Sequence, residues 1–300
     1  MNLHKTLLPS YLKLHHPDLA PHGINEESRG FLQKISEGIH SFDDYFVILA
    51  GGQEVIWSLK VFPVQTGVYY AIPPRRRLKH PLVPSEFKHI IESVTARCIH
   101  LKAISVRLRL EKDASDPTRS GILASLGYRK LHERVEFKRP VSDLPAETGT
   151  PLKWEKVSAS GPIDLEQAAL ILGRAAQGDP DCSPDDDPRQ LLRFHLAAEG
   201  LYGELDAIQL GFFQGAPAMI TIAQVNQATG WSRITYMGIL PEFRGRGLGK
   251  WLHRHSFAMM KEQGGREYHG GTVSTNAAMI RLFHSHACRE HRTTEEWLLS

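Results

Sequence analysis

The sequence predicts an α+β fold in two copies, each a mixed, mostly antiparallel central sheet flanked by helices. The chain has 300 residues, which exceeds a typical single domain. Residues 140–151 are polar and rich in proline, as a linker between two domains would be. Strand-like and helix-like segments follow one another in a similar order on both sides of this linker. We therefore expect domains at 1–147 and 148–300.

Composition limits the possible classes of protein. An apolar fraction of 41% and a charged fraction of 23% are typical of a soluble globular protein. A net charge of +3, with the 16 histidines counted as neutral, is too small to make nucleic acid the expected partner. The 3 cysteines are far apart and odd in number, which favours a reducing compartment over a disulfide framework. No segment has the roughly 18 consecutive apolar residues of a membrane helix, so we expect a cytoplasmic protein without a membrane partner.

The first half is predicted to begin with helical segments and to continue as a sheet with helices. After a short apolar stretch at 7–12, its elements are a helix at 26–40, strands at 45–50, 55–62 and 68–72, a helix at 84–96, a strand at 103–110, a helix at 121–128 and a strand at 134–137. Gly51 and Gly52 separate the first two β-rich runs, which is a strong hairpin signal. The run at 103–110 alternates between apolar and polar residues, as a half-buried strand does.

The second half contains a similar series, and the first half repeats it from its hairpin onward. Its elements are a strand at 152–157, helices at 164–177 and 188–198, strands at 207–213, 216–225 and 232–240, a helix from 248 to about 263, a strand at 268–274, a helix at 277–286 and a closing strand at 293–299. The match lies in the order of elements, since residue identity between the halves is slight. An unrelated N-terminal domain is the alternative interpretation of the first half.

A turn rich in glycine joins the predicted strand 232–240 to the helix after it, and we call residues 244–249 the glycine turn. Backbone N–H groups at the start of a helix have no intrahelical partner, and the helix dipole favours an anion there. Glycines let the backbone approach a ligand closely, while Arg244 and Arg246 add positive charge. The pattern predicts a phosphate-binding turn, with an ordinary strand-to-helix turn as the alternative.

Spacing excludes two familiar phosphate-binding turns. The dinucleotide fingerprint G-x-G-x-x-G would need glycine at position 250, where the chain has lysine. A P-loop would need glycine at 244 and serine or threonine at 251, where the chain has arginine and tryptophan. What remains is R-x-x-G-x-G, formed by Arg244, Gly247 and Gly249 after the run Ile239–Pro241. This stretch resembles motif A of the GNAT superfamily of acyl-CoA-dependent N-acyltransferases, in which the turn holds the pyrophosphate of coenzyme A.

The resemblance covers about residues 152–300 by motif and about 40–140 by the order of elements only. It implies tandem GNAT-like domains, acetyl-CoA as cosubstrate, and transfer of an acyl group to an amine of unknown identity by direct attack in a ternary complex. A tandem layout of this length also resembles mycothiol synthase, and a CoA-binding regulatory module without catalysis is a further alternative. The residues implied to bind the cosubstrate are Met237, Gly238, Ile239, Arg244, Gly245, Arg246, Gly247, Leu248, Gly249, Lys250, Asn276 and Phe283.

A second stretch, residues 274–283, is similar to the family's S-x-N-x-x-A/M-x-x-L-Y segment. The resemblance implies that Asn276 binds the pantetheine or phosphate region of the cosubstrate. An asparagine before a helix is also a good N-cap, and one residue can do both. Phe283 stands where the family has a tyrosine that often protonates the departing CoA thiolate. Because phenylalanine has no proton to donate, the general acid is left open.

Three residues are candidates for catalysis. In the family, a main-chain N–H beside a bulge in the strand before the turn contacts the developing oxyanion, and the matching segment here is Met237–Ile239. Gly238, at the centre of this segment, suits a bulge or a close approach. Tyr236 and His284 are the nearest titratable groups for proton transfer, with core packing or solvent exposure as the alternatives.

In this family the segment between the first two helices usually shapes the acceptor site, and here that segment is 178–188. Its five aspartates favour a cationic amine. Alternatively they serve local structure, with Asp187 capping the helix that begins at Pro188. A metal site is not expected, because the histidine pairs at 253 and 255 and at 284 and 286 point to different faces of their helices.

The corresponding turn of the first half falls at 72–79, which contains no glycine. Its two prolines lack N–H donors, so the backbone there is poorly suited to a pyrophosphate. The basic residues Arg75–Arg77 and Lys79 can attract an anion or form a solvated loop, and a nucleic-acid binder is the remaining rival. We therefore expect the first half to be a degenerate copy without productive cosubstrate binding, and the oligomeric state is left open.

Overall fold

The chain forms two compact units in the computed structural model. The residues that the structure describes are 1–15, 20–38, 41–65, 68–71, 75–76, 83–112, 118–143, 152–158, 163–182, 187–196, 205–227 and 229–300. The N-terminal unit consists of Met1–Glu133 with Thr293–Ser300, and the C-terminal unit consists of Arg134–Arg292. Within the described residues, no helix is long and apolar enough to cross a membrane.

The N-terminal unit combines helices with the strands of a mixed sheet. Its helices are α1 (Leu8–His15), α2 (Pro21–Ser36), α3 (Pro84–His100) and α4 (Thr118–Ser125). Its strands are β1 (Tyr45–Ala50), β2 (Glu54–Gln65), β3 (Val68–Ala71), β4 (Arg75–Arg76) and β5 (Ser105–Glu111), together with parts of β6 (Arg129–Pro140) and β12 (Arg289–Leu299). The helix α2 begins at Pro21, earlier than the predicted start at 26, because proline is well suited to the first turn of a helix.

The sheet of the N-terminal unit runs in the order β1, β2, β3, β5 and β12. β1, β2 and β3 form an antiparallel meander, β4 pairs with β2, and β12 pairs antiparallel with β5 through Thr294–Leu299. β3 is parallel to β5 and pairs with Ser105–Leu108 along all 4 of its residues. The core between this sheet and α3 is apolar and includes the fully buried Ile91 and Val94.

The C-terminal unit has a sheet in the order β6, β11, β10, β9, β8 and β7. Its helices are α5 (Leu165–Ala176), α6 (Pro188–Leu196), α7 (Leu248–Glu262) and α8 (Ala277–Ser285), and its strands besides β6 are β7 (Lys153–Lys156), β8 (Ile208–Phe213), β9 (Ala216–Val225), β10 (Trp231–Ile239) and β11 (Glu267–Val273). α5 and α6 cover one face, where Ile220 and Ile222 of β9 are buried. α7 and α8 cover the opposite face, where Ala223 and Val225 of β9 are buried.

Both units contain the same series of elements, namely a helix pair, an antiparallel meander of three strands, a helix, a strand parallel to the last one of the meander, and a helix. The predicted α+β class, a mixed and mostly antiparallel sheet flanked by helices, is therefore confirmed. The final strands are exchanged. β6 follows α4 but pairs with β11 through Arg134–Pro140, and β12 follows α8 but pairs with β5. The boundaries of the two compact units follow this strand pairing, so they do not coincide with the predicted boundary between residues 147 and 148. That boundary stays a prediction about where the first copy ends along the chain.

Candidate functional site

β10 and β11 are neighbours in the sheet, but they pair only at their first residues. The parallel partners are Trp231–Ser232 on β10 and Glu267–Tyr268 on β11. β10 stays paired with β9 as far as Ile239, and β11 stays paired with β6 as far as Val273. Past their common start the two strands therefore diverge, and within the described stretch 229–300 each has one backbone edge without a strand partner. We call the gap between these two edges the slot.

A bulge at Thr235 changes which face of the sheet the side chains of β10 cover. The register with β9 shifts between Ile234 and Tyr236. Ile234 packs in the core under α7, whereas Tyr236 packs in the core under α5 and α6. In a regular strand two residues at this spacing would share a face. Consequently Tyr236 and Gly238 face α5, while Met237 packs on the side of α7.

The backbone N–H groups of β10 point alternately towards β9 and into the slot. Leu240 N donates to Ala218 O at 2.9 Å, and in an antiparallel pair every second residue repeats this direction. The N–H of Gly238 therefore points to β9. The N–H groups of Met237 and Ile239 point into the slot, and contact of the segment Met237–Ile239 with an oxyanion stays a prediction.

Gly238 has a packing reason to be glycine. A Cβ atom at this position would lie 2.6 Å from Tyr236 Oη and 2.9 Å from Ala175 Cβ, which is too close for a real contact. The missing side chain lets the tyrosine ring and the last turn of α5 pack directly on β10. A close approach of side chains, rather than the bulge itself, thus accounts for glycine at this position.

The glycine turn presents a row of backbone donors. Gly245 and Gly247 both have a φ of 75°, in the left-handed region that favours glycine, and Gly247 is the N-cap of α7. Among the described residues, none accepts a hydrogen bond from the backbone N–H groups of residues 245–249. The first turn of α7 also holds no acidic residue. The turn is therefore suited to an anion, which would meet free N–H groups and the positive end of the helix dipole.

Gly249 differs from the other two glycines because the fold does not require it. A Cβ atom there would lie 3.8 Å from Ile239 Cδ1 and 3.8 Å from Leu282 Cδ2, which are ordinary contact distances. Leu248 is buried and anchors the start of α7, whereas Lys250 is exposed. The space beside Gly249 thus adjoins the free N–H groups, and its use by a ligand stays a prediction.

The two arginines of the glycine turn make different contacts. Arg244 donates from Nε to Ile239 O at 2.9 Å and from Nη2 to Ala175 O at 2.8 Å. Arg246 is exposed and donates from Nη2 to Glu242 O at 3.2 Å. Arg244 is therefore held by carbonyl groups of the protein on two sides, whereas Arg246 keeps most of its donors for solvent or a ligand.

The second predicted stretch adopts the local structure that its sequence indicates. Asn276 is the N-cap of α8, and its Oδ1 accepts from Met279 N at 3.1 Å, so the capping role is confirmed. Contact between Asn276 and a ligand stays a prediction. Phe283 is 1% exposed and stacks on Phe137 with ring centres 4.4 Å apart. Phe283 is thus a core residue without a proton for a leaving thiolate.

The two titratable candidates for proton transfer lie on different faces of the sheet. Tyr236 is buried under α5 and α6, whereas the side chain of His284 on α8 is 54% exposed and lies 3.5 Å from Glu290. Burial, followed by the charge of Asp179, raises the pKa of Tyr236, so its hydroxyl stays protonated at neutral pH. Among the described residues, no group forms a hydrogen bond with the buried Tyr236 Oη. The structure does not bring the two candidates together, and Tyr236 is the one on β10, the strand that borders the slot.

His195, near the end of α6, is a residue that the sequence did not single out. Its ring centre lies 5.0 Å from that of Tyr236. Burial, followed by the charge of Arg233, lowers the pKa of His195 to about 3, so the ring is neutral at pH 7. Its Nε2 atom is buried, and no described residue forms a hydrogen bond with it. No local spacing marks His195, because only the packing of α6 on β10 brings it to Tyr236.

The sequence predicts either a cationic acceptor or a local structural role for the aspartates between α5 and α6. Asp187 Oδ1 accepts from Gln190 N at 2.9 Å and so caps α6. Asp179 Oδ1 accepts from Asp181 N at 2.9 Å, and burial raises the pKa of Asp179. Residues 185–186 lie outside the described part of the chain. The local structural role is thus present, and attraction of a cation stays a prediction.

Asp181 connects the loop after α5 to β11 through hydrogen bonds. Its carboxylate accepts from Thr272 Oγ1 at 2.5 Å and from Val273 N at 3.3 Å, and it forms an ion pair with Arg134. Burial raises the pKa of Asp181, but the charge of Arg134 and the hydrogen bond from Thr272 outweigh burial, so the net pKa lies below its ordinary value. The carboxylate is therefore ionised and held at the end of β11.

Two histidines from different predicted pairs meet in the core. His253 Nδ1 and His286 Nδ1 lie 2.7 Å apart. His255 points elsewhere and stacks on Trp154 with ring centres 3.7 Å apart, as the spacing of two residues on a helix predicts. Among the residues that the structure describes, no group of three or more His, Cys, Asp or Glu side chains is placed to hold a metal ion.

The described residues of the N-terminal unit show no counterpart of the slot. β3 and β5 correspond by their order to β10 and β11, yet β3 is paired with β5 along its whole length. Of the turn expected at 72–79, Arg75 and Arg76 form β4. Residues 72–74 and 77–79 lie outside the described part of the chain.

Fold and site together define a class of protein, a tandem α+β protein in which one unit opens its sheet beside a turn with free backbone N–H groups. Residues 208–287, which include β10 and the glycine turn, match the model of the acetyltransferase (GNAT) family. This match confirms the predicted resemblance to the GNAT acetyltransferase family for that part of the C-terminal unit. No curated protein matches the sequence.

Solved structures share the fold over most of the chain. A GCN5-related N-acetyltransferase from Sphaerobacter thermophilus has a TM-score of 0.69 at 14% identity, covering 99% of this chain and 94% of that one. A GCN5-related N-acetyltransferase from Kribbella flavida has a TM-score of 0.58 at 16% identity, covering 89% and 91%. A tandem GNAT protein from the clavulanic acid biosynthesis pathway has a TM-score of 0.51 at 13% identity, covering 85% and 82%. At these identities the likeness concerns the fold, and it confirms the predicted tandem GNAT-like architecture.

Proposed function

We propose that the C-terminal unit transfers an acyl group, with acetyl as the expected one, from acyl-CoA to an amine. The observation that carries this proposal is the slot, because β10 and β11 separate after Ser232 and Tyr268 and leave two backbone edges that have no strand partner in the described part of the chain. An extended arm with amide groups can pair with such an edge as an added strand would. The slot opens beside the glycine turn, which offers free N–H groups to the diphosphate of the same ligand.

The residues of the glycine turn fit coenzyme A. The left-handed backbone at Gly245 and Gly247 turns successive N–H groups outwards, and the position of Gly249 leaves room beside them. Arg246 and the exposed Lys250 add positive charge around the diphosphate. The thioester of acyl-CoA supplies the activated acyl group, and this chain supplies the binding and the orientation.

Acyl transfer by direct attack requires few catalytic groups of the protein besides those that bind acyl-CoA. The amine nitrogen bonds to the carbonyl carbon while the C–S bond breaks, and the proton lost by the amine balances the one gained by the CoA thiolate. The N–H groups of Met237 and Ile239 face the slot and are placed to stabilise the developing oxyanion. Tyr236 lies on β10 beside the slot, and its hydroxyl, which stays protonated, is the proposed hydrogen-bond donor on the side of α5 and α6. Phe283 takes no part in proton transfer.

A thiol-release assay tests the proposed function. The full chain is mixed with acetyl-CoA and a panel of primary amines, cationic and neutral, and free CoA thiol is followed over time. We expect release that depends on both substrates. A chain that gains thermal stability with acetyl-CoA but releases no thiol with any amine would instead be a CoA-binding regulatory module.

We further propose that the N-terminal unit is a degenerate copy that does not bind acyl-CoA productively. The pairing of β3 with β5 along all of β3 supports this, since β10 and β11 pair only at their first residues. Calorimetry on the full chain measures the stoichiometry, because Thr293–Ser300 completes the N-terminal unit and a chain cut after the first half would lack it. We expect one acetyl-CoA per chain, and two sites of similar affinity would contradict the proposal.

A further inference from the structure

Arg244 links the glycine turn to the last turn of α5. Its Nη2 donates to Ala175 O at 2.8 Å, and its Nε donates to Ile239 O, the last residue of β10, at 2.9 Å. Its own backbone N–H donates to Pro241 O at 3.2 Å. Arg244 thus uses the directional donors of its guanidinium on two carbonyl groups that lie in different elements.

Neighbouring contacts join the same two elements. Glu242, just before the glycine turn, forms an ion pair with Arg174 of α5. The absent side chain of Gly238 lets Ala175 pack on β10, as its Cβ would otherwise lie 2.9 Å away. The C-terminal end of α5 is therefore fixed to the region that is proposed to bind the diphosphate.

The chain leaves this anchored end of α5 and crosses to β11. We call residues 177–182 the strap. Asp179 N donates to Ala176 O at 3.0 Å and Cys182 N donates to Asp179 O at 3.1 Å, so the strap consists of hydrogen-bonded turns. Its far end is held by Asp181, which accepts from Val273 N at the end of β11. Because β10 and β11 diverge, the strap spans the slot on the face covered by α5 and α6.

We propose that Arg244 is a positioning residue that couples the glycine turn to the strap, and that its side chain is not a phosphate ligand. This proposal rests on the proposed function. Arg244 already holds Ala175 O and Ile239 O in this structure, so a diphosphate bound to the backbone of the glycine turn would restrain Arg244 further, and Arg244 would restrain the end of α5 and the strap that follows it. In this proposal the acceptor amine approaches on the face that the strap covers. Binding of acyl-CoA therefore raises the affinity for the amine, and by linkage the amine raises the affinity for acyl-CoA.

Two matched variants separate this role from phosphate binding. Arg244→Lys keeps the positive charge but loses the planar fork that reaches two carbonyl groups. Arg246→Lys makes the same chemical change two residues later, at a side chain that contacts Glu242 O but does not reach α5. For R244K we expect an acetyl-CoA Kd within about twofold of the wild type and an amine KM raised about tenfold. For R246K we expect a weaker acetyl-CoA complex and an unchanged amine KM. A weaker acetyl-CoA complex with an unchanged amine KM in R244K would overturn the proposal.

Hydrogen exchange provides a readout that needs no turnover. In the wild type, saturating acetyl-CoA should slow the exchange of amides in the strap. In R244K, acetyl-CoA should protect residues 245–249 as before but no longer protect the strap. Persistent protection of the strap in R244K, or binding to the wild type without such protection, overturns the coupling. If acetyl-CoA protects the strap of the wild type but no amine leads to release of CoA thiol, the proposed catalysis is contradicted and the coupling is still supported.

The far end of the strap offers an independent variant. Asp181→Asn removes the charge that holds Arg134 and weakens the acceptor for Val273 N. We expect a raised amine KM with little change in the acetyl-CoA Kd, as in R244K. Asp187→Asn is the matched control. Residue 187 lies outside the strap, and asparagine can replace aspartate as the N-cap of α6. An amine KM that rises equally in both would point to general loosening of the loop and would contradict the specific role of the strap.

Discussion

The Nδ1 atoms of His253 and His286 lie 2.7 Å apart in the core under α7 and α8. His253 is 0% exposed and His286 is 6% exposed, so a proton added to either ring would be buried. Burial, followed by the charges of Arg254 and Arg139, lowers the pKa of His286 to about 4. Burial, followed by His286 itself, lowers the pKa of His253 well below its ordinary range. The pair is therefore stable only while both rings are neutral.

This pair predicts a loss of stability in mild acid. A histidine that titrates at 6.5 when unfolded and at about 4 when folded takes up its proton first in the unfolded chain. Its contribution is therefore fully present above pH 6.5 and is lost as the pH falls towards 4, at up to about 1.4 kcal/mol per pH unit. Chemical denaturation of the full chain at a series of pH values between 8 and 4 measures the slope.

Two variants test whether the pH dependence of the unfolding free energy comes from the pair His253 and His286. His286→Gln should reduce the dependence of the unfolding free energy on pH across this window, whatever it does to stability at pH 8. His284→Gln, on the same helix but exposed, should leave the dependence unchanged. Equal slopes in the wild type and both variants would contradict the prediction.

Gly249→Ala is expected to separate stability from cosubstrate binding. The added methyl group would meet only ordinary contacts at 3.8 Å, and alanine favours a helix over glycine by about 1 kcal/mol, so the fold should be as stable or more stable. The same methyl group would stand beside the N–H groups proposed to bind the diphosphate, so the acetyl-CoA Kd should rise about tenfold or more. Thermal unfolding and calorimetry measure the two effects.

Gly30→Ala in α2 is the control for this substitution. No atom lies within 4 Å of a Cβ at that position, and the helix gains the same propensity. We expect a similar change in stability without any change in the acetyl-CoA Kd. A Kd that stays at the wild-type value in G249A would mean that the diphosphate does not bind at the glycine turn.

Tyr236→Phe is expected to cost activity without costing stability. The Tyr236 hydroxyl is buried, and none of the described groups forms a hydrogen bond with it. Burying an unsatisfied polar group costs about 1 kcal/mol or more of folding free energy, and removal of the hydroxyl avoids this cost. If the hydroxyl takes part in acyl transfer, kcat should fall about tenfold or more while the unfolding free energy stays equal or rises. An unchanged kcat would leave Tyr236 as a packing residue.

Gly238→Ala is expected to destabilise the protein through its neighbours. The new Cβ would press on Tyr236 Oη at 2.6 Å and on Ala175 Cβ at 2.9 Å, and overpacking of this kind costs about 1–3 kcal/mol. The double variant with Tyr236→Phe should recover part of the loss, because it removes the closer of the two atoms. Strictly additive effects in this double-mutant cycle would show that the clash lies elsewhere.

Local features could be predicted from the sequence because they depend on residues close together in the chain. The glycine turn needs a left-handed backbone at Gly245 and Gly247, and the cap of α8 needs Asn276 three residues before Met279. Both requirements are met within a few residues, so spacing reveals them. The assignment of the C-terminal region to an acyl-CoA-dependent class rested on these local signals and agrees with the family match.

Long-range features could not be predicted in this way. The sequence predicts an oxyanion contact from a main-chain N–H of Met237–Ile239, but which of these N–H groups face the slot depends on the hydrogen bond of Leu240 with β9. His195 was missed because it reaches Tyr236 only through helix packing. The exchange of β6 and β12 was also missed, because pairing depends on strands distant in sequence.

The sequence by itself determined the turn, the caps, the order of elements and the resemblance to an acetyltransferase family, since backbone conformation and residue spacing encode each of them locally. Tertiary structure alone decided that β10 and β11 separate to form the slot, and that Asp181 reaches β11. It also decided that the side chain of Arg244 meets Ala175 and Ile239. The physical reason is that strand partners and buried hydrogen bonds are selected by packing between residues far apart in the chain.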